Sequence, residues 1–131
     1  MRWQKKAVRA TNRTRGTVFG QSIRVAETGL HRIVGLLGER ELPPGDGLLI
    51  VPSQGVHTWG MRFPIDIAVL DNEWKVIATR RVMRPFRMTR MFWKAAAVLE
   101  LPAGALESTR TSVGDMIEFN CASAPPEAVK E

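Results

Sequence analysis

The chain has 131 residues, 44% of them apolar and 24% charged, a length and balance that suit one globular domain able to bury a core without staples. A single cysteine, Cys121, excludes an internal disulfide and a cysteine-built zinc site, and no apolar run approaches the roughly 18 residues of a membrane-spanning helix. The net charge of +6 is uneven: seven cations from Arg2 to Arg24 precede the first acid, Glu27, and seven more from Lys75 to Lys94 lie between Glu73 and Glu100 with no acid among them.

Residues 1–15 are polar and basic with few apolar positions, and read as a flexible arm ahead of one domain over 16–122, with a frayed tail over 123–131. No apolar core follows the charges of the arm, so no secretory signal is read there. The expected location is the cytoplasm, or the cell envelope if a leader preceded the chain. From Gly16, Val18, Ile23 and Val25 form a strand-like run in which Gly20 marks a turn or bulge. Leu30, Ile33, Val34 and Leu37 then fall at helical spacing, and Pro43-Pro44-Gly45 ends that short helix. Gly47 to Pro52 is an apolar run of strand length. Ile65, Ile67 and Val69 alternate with Asp66 and Ala68, and Asp71-Asn72-Glu73 has the turn chemistry that joins this strand to "WKVIATRRV" as a hairpin. "MRPFRMTRMFWK" reads as an irregular basic loop, "AAVLELPAG" as a strand with a proline stop, and Gly114-Asp115 as a turn before a last short strand that holds Cys121 as a buried small hydrophobe. Six or so short strands with one helix predict a mostly β, α+β domain: a small, curled, largely antiparallel sheet or barrel with the helix packed on it.

Several of these segments together resemble one prokaryotic family, domain of unknown function 192. They are Gly35-Leu36-Leu37-Gly38-Glu39-Arg40, Gly47-Leu48-Leu49-Ile50, Pro64-Ile65-Asp66-Ile67 with Leu70-Asp71, Val98-Leu99-Glu100-Leu101-Pro102-Ala103-Gly104, and Val113-Gly114-Asp115. The resemblance spans roughly residues 18 to 120; each pattern alone is weak, and five in order are not. It implies a compact, β-rich α+β fold and no established activity. Many members carry tryptophan-methionine-lysine-asparagine-threonine ahead of the Pro-Ile-Asp core. Here His57-Thr58-Trp59-Gly60-Met61 stands in that place, so no role of the lysine and asparagine carries over. Many members are also led by a secretion signal, and this sequence is not.

Three side chains are candidates for chemistry. His57 can shuttle a proton near neutral pH, or be a strand-edge residue. Asp66 interrupts an apolar run, where a carboxyl group without a donor is costly; Arg62, Arg84 and the backbone at Trp59-Gly60 are the expected donors. Glu100 poses the same question in "VLELP". If Asp66 and Glu100 share one open face they form a carboxylate pair suited to acid–base work or a divalent cation; otherwise Asp66 is held by a local donor, and Glu100 faces solvent or pairs with an arginine of the basic loop. His31, His57 and Cys121 do not fall at zinc-ligand spacings, no metal site is assigned, and no phosphate-binding glycine loop calls for a cofactor.

Two classes of function follow. One is a non-enzymatic binding module with a pocket between the 57–66 segment, Glu100 and the basic 80–94 loop, where Trp59, Arg62, Asp66, Arg84, Arg87 and Glu100 meet a polar or anionic small molecule or a peptide end. The other is a hydrolase- or isomerase-like enzyme that uses Asp66 with Glu100 or His57. The basic tracts add a third reading, salt-sensitive binding to nucleic acid or an anionic membrane surface, against the plain one of a solvated arm and loop. Met83, Phe86, Met88, Met91, Phe92 and Trp93 in the basic loop either face a partner or fold inward to plug the end of the barrel. The residues do not specify an oligomeric state.

Overall fold

The computed structural model describes residues 7–26, 42–55, 62–85 and 87–121. The helix expected around Leu30 to Leu37, the segment holding His57 and Trp59, and the carboxyl tail lie outside the described residues. Among the described residues there are seven strands: β1 (Ala7–Asn12), β2 (Thr17–Ala26), β3 (Asp46–Ile50), β4 (Ile65–Leu70), β5 (Val76–Met83), β6 (Ala97–Pro102) and β7 (Ile117–Cys121). A four-residue helix, α1 (Ala105–Ser108), follows β6. The strands form one sheet in the order β5-β4-β6-β3-β2-β1-β7. Every neighbouring pair is antiparallel except β2 and β3, whose long connection returns the chain in the same direction. The fold is the mostly β, curled sheet that the patterning predicts, and α1 is a short helix other than the one expected around Leu30 to Leu37.

The two edge strands meet at one end. Lys75 and Met116 form an isolated bridge, flanked by Val76 N–H to the Asp115 carbonyl at 2.8 Å and Ile117 N–H to the Trp74 carbonyl at 2.9 Å. The curl therefore has an inside. Ile23, Leu49, Ala68, Leu99 and Leu101 point into it, together with Val76 and Ile117 from near that closure and Leu106 from α1. The alternate residues of the central strands, Leu48, Ile50, Ile65, Ile67, Val69 and Val98, form a second buried layer on the outer face. Leu42, Phe63, Phe92 and Ala95, from the connecting segments, cover it. Two-sided burial explains why β4 is buried at every position rather than at every second one.

Residues 7–12 correct the expectation of a loose arm. This stretch is β1, paired with β2 on one side and β7 on the other, and Ala10 is fully buried. Local composition misses it because its small apolar residues and buried Asn12 find their partners about a hundred positions away. Gly20 is the bulge that its place in the run suggests. It pairs with Ala10 where β2 carries extra residues, and a Cβ there would run into the Gly45 backbone. Cys121 is a second correction, since it is exposed near the end of β7. Among the described residues no helix is long and apolar enough to cross a membrane.

Candidate functional site: two buried carboxyl groups on opposite faces

Asp66 lies in the middle of the alternation of β4 and is fully buried on the inner face. Among the described residues its donors are backbone amides. The Oδ1 atom accepts Val82 N–H at 2.8 Å, and Oδ2 accepts Gly104 N–H at 3.1 Å and Leu106 N–H at 2.9 Å. Asp66 thus does across 40 positions what a capping aspartate does locally: it satisfies amides at the start of α1 that have no partner within a helix so short. The third donor belongs to Val82, a β-branched residue at φ 51, a backbone conformation such a side chain disfavours. Arg62, the expected partner, is exposed, and the structure assigns Asp66 to holding β4, β5 and α1 together.

Glu100 is also buried, but on the other face. In the ladder it sits opposite Leu48 of β3 and Ile67 of β4, both in the outer layer, whereas Asp66 sits opposite Leu101, which points inward. The sheet itself separates the two carboxyl groups, so the expected pair does not form. Burial drives the Glu100 carboxyl from the ordinary 4.5 up to about 8; no nearby charge or hydrogen bond among the described residues opposes it. The same cross-strand row continues to a cation on either side, reading Arg24, Leu48, Glu100, Ile67, Arg80 across five strands. Strand spacing puts each arginine backbone roughly 10 Å from that of Glu100. Arg80 also lies over the ring of Phe92, 5.9 Å from its centroid, and Arg90 lies 4.3 Å from the same centroid.

The loop between β5 and β6 covers this outer face. Phe92 N–H donates to the Gln54 carbonyl at 2.9 Å, Gln54 Nε2 to the Trp93 carbonyl at 3.0 Å, and Ser53 N–H to the Ala96 carbonyl at 3.0 Å. Its aromatic and sulfur side chains divide: Phe92 is buried in the outer layer, while Met88, Met91 and Trp93 are exposed. Arg84 and Arg87 are exposed on the same loop. Among the described residues no group of three or more histidine, cysteine or acidic side chains is placed to hold a metal ion.

A second polar cluster has no signature in local sequence. Buried Asn12 donates from Nδ2 to Thr111 Oγ1 and to Asp115 Oδ2, both at 2.9 Å. The same Asp115 oxygen accepts Ser112 N–H and Arg15 Nε, both at 3.0 Å. Burial by itself would raise the Asp115 pKa, yet the hydrogen bonds from Asn12, Ser112 and Arg15 and the arginine charge together hold it below 3.8. These bonds tie the β1–β2 turn to the segment after α1, which makes the cluster architectural. A group with a lowered folded pKa contributes stability above its unfolded value and loses it as pH falls through the folded one. Asp115→Asn is therefore expected to flatten the acid limb of a melting-temperature profile below pH 4, and an acid limb identical to wild type would contradict this assignment. Arg15, and Arg13 at 3.9 Å from Glu118, also show that part of the first basic tract pairs within the fold.

The chain matches a known family over most of its length. Residues 9–119 match the model of DUF192, described as "Uncharacterized ACR". The chain belongs to the DUF192 family. Within it, a UPF0127 protein of Thermococcus sibiricus is 28% identical over 116 residues, covering 82% of this chain and 72% of that one. A UPF0127 protein of Pyrococcus furiosus is 27% identical over 114 residues, covering 83% of this chain and 96% of the relative. The crystal structure of a protein of unknown function from Novosphingobium aromaticivorans superposes with a TM-score of 0.73 at 23% identity, over 85% of this chain and 82% of that one. That likeness establishes the fold of this DUF192 member. The family carries no established activity.

Sequence reasoning singles out Asp66 and Glu100 because both break apolar runs. It does not single out Arg24 and Arg80, whose place beside Glu100 depends on strand order. Only pairing register brings residues 24, 48, 100, 67 and 80 into one row.

Proposed function

We propose that this DUF192 member is a small non-enzymatic binding module that receives a polar small molecule or a peptide end over the outer face of β3, β6 and β4, at Glu100. One observation carries the reading: Glu100 is a carboxyl group buried in an apolar layer, where burial raises its pKa to about 8. Burying a carboxyl group is costly, and strongly shifted groups are found most often where they are used. A ligand that brings an amine or another donor would meet it with the complementary chemistry. Arg24 and Arg80 on the same row, with Arg62, Arg84 and Arg87 on the segments that cover this face, suit an acidic group on the same ligand. The enzyme reading has less to rest on, because Asp66 is occupied by three backbone amides on the far side of the sheet.

The test is a thermal-shift screen of amines, amino acids, dipeptides, sugars and nucleotides against wild type and Glu100→Gln, since a ligand that prefers the folded state raises its stability. A ligand of this site raises the melting temperature of wild type and not that of the variant. For a cationic ligand the Glu100 proton must leave on binding. Affinity should then rise about tenfold per pH unit below pH 8 and level off above it. Hits that stabilise both proteins equally, with no dependence on pH, would place the ligand elsewhere.

A further inference from the structure

We infer that the tip of the loop between β5 and β6 is a docking point for an anionic lipid bilayer surface. Trp93 is 77% exposed, Met88 65% and Met91 50%, a cluster of large apolar side chains within six residues in a chain whose other apolar residues are mostly buried. They are held out rather than left loose. Phe92 between them is buried at 5%, its N–H and the Trp93 carbonyl are bracketed by the backbone and side chain of Gln54, and the Arg90 guanidinium lies over its ring at 4.3 Å. A side chain anchored by its neighbour loses less freedom when it inserts into a partner.

The charge around the tip selects the occupant. Arg84, Arg87, Arg90 and Lys94 are exposed on the same loop, and no acid occurs between Glu73 and Glu100. An apolar tip ringed by cations complements a surface that is anionic at the headgroups and hydrocarbon beneath. Tryptophan favours that boundary, and arginine and lysine extend from it to the phosphates. Single-stranded nucleic acid offers the same charge but rewards aromatic faces, and two of the three exposed side chains are thioethers with no face to stack on a base.

Co-sedimentation of the full chain with vesicles of phosphatidylglycerol and phosphatidylcholine, against pure phosphatidylcholine, tests this. Wild type should partition onto the anionic vesicles, and less so as salt rises. Trp93→Ala combined with Met91→Ser should weaken partitioning at least about tenfold, and Lys94→Glu should weaken it further, since each contact adds to a weak surface affinity. All three positions are exposed, so the variants should melt with wild type. The fluorescence difference between wild type and Trp93→Phe should shift to the blue on adding anionic vesicles. Absence of wild-type binding, or equal binding by the double variant, overturns the proposal. Retention on a single-stranded oligonucleotide that requires Trp93, without vesicle binding, overturns it in favour of nucleic acid.

Discussion

Replacing Asp66 by alanine is expected to cost about 4 kcal/mol of folding stability, on the order of 10–15 °C in melting temperature for a domain of this size. The side chain accepts from Val82, Gly104 and Leu106, amides that belong to β5 and to the start of α1. Alanine leaves all three without an acceptor. The Leu106 amide is the most deeply buried of these contacts, while water can rescue the other two in part. Val82 suffers doubly, because its φ of 51 is held in part by this bond. Asparagine keeps one acceptor oxygen but turns an amide group toward remaining donors, so Asp66→Asn should recover only part of the loss. The control is Arg62→Ala, which should stay within about 0.5 kcal/mol of wild type, because the arginine is exposed. Equal melting temperatures for Asp66→Ala and wild type would remove Asp66 from the framework. A large loss in Arg62→Ala would restore the arginine as its partner.

Glu100→Gln is expected to act in the opposite direction, and only where the carboxyl group would ionise. The folded-state pKa of Glu100 is about 8 against 4.5 when unfolded. Between those values the unfolded chain has released the proton and the folded chain holds it, so native stability falls as pH rises. Below pH 4.5 both states are protonated and above about pH 8 both are ionised, so the slope is confined to that window. The accumulated penalty is on the order of 3–5 kcal/mol. Glutamine fills nearly the same volume and has no proton to lose. The variant should match wild type near pH 4 to 5, gain on it through neutral pH, and keep a constant advantage above about pH 8. Parallel melting profiles across the range would mean that the carboxyl group is solvated or paired, and the binding site proposed over it would lose its anchor.

These two side chains also measure what was legible beforehand. Both stand out as carboxyl groups inside apolar runs, but the pattern leaves Glu100 open between a solvent-facing and a buried position, and the structure buries it. Their relation is not in the pattern either. Asp66 and Glu100 become a pair or two strangers according to one register. The observed ladder, Asp66 to Leu101 and Ile67 to Glu100, sends them to opposite faces. The identity of the Asp66 donors was hidden for a related reason. Backbone amides occur at nearly every residue and leave no mark in composition, so the sequence points to Arg62, Arg84 and the Trp59-Gly60 backbone and not to the amides of Val82, Gly104 and Leu106. Strand β1 was missed because its burial comes from β2 and β7, not from any apolar richness of its own.

From the amino-acid order alone came the strand-forming runs, the Asp71 turn, the Gly20 bulge, the kinship with DUF192 and the marking of residues 66 and 100 as acids inside apolar runs. These are properties of side-chain periodicity and turn chemistry, which act over a few neighbouring positions. Tertiary structure decided which face each acid occupies, what satisfies it, which arginines share its row, and which loop aromatics are buried or displayed. Those depend on pairing between segments tens of residues apart, where a shift of one position exchanges the two sides of a strand.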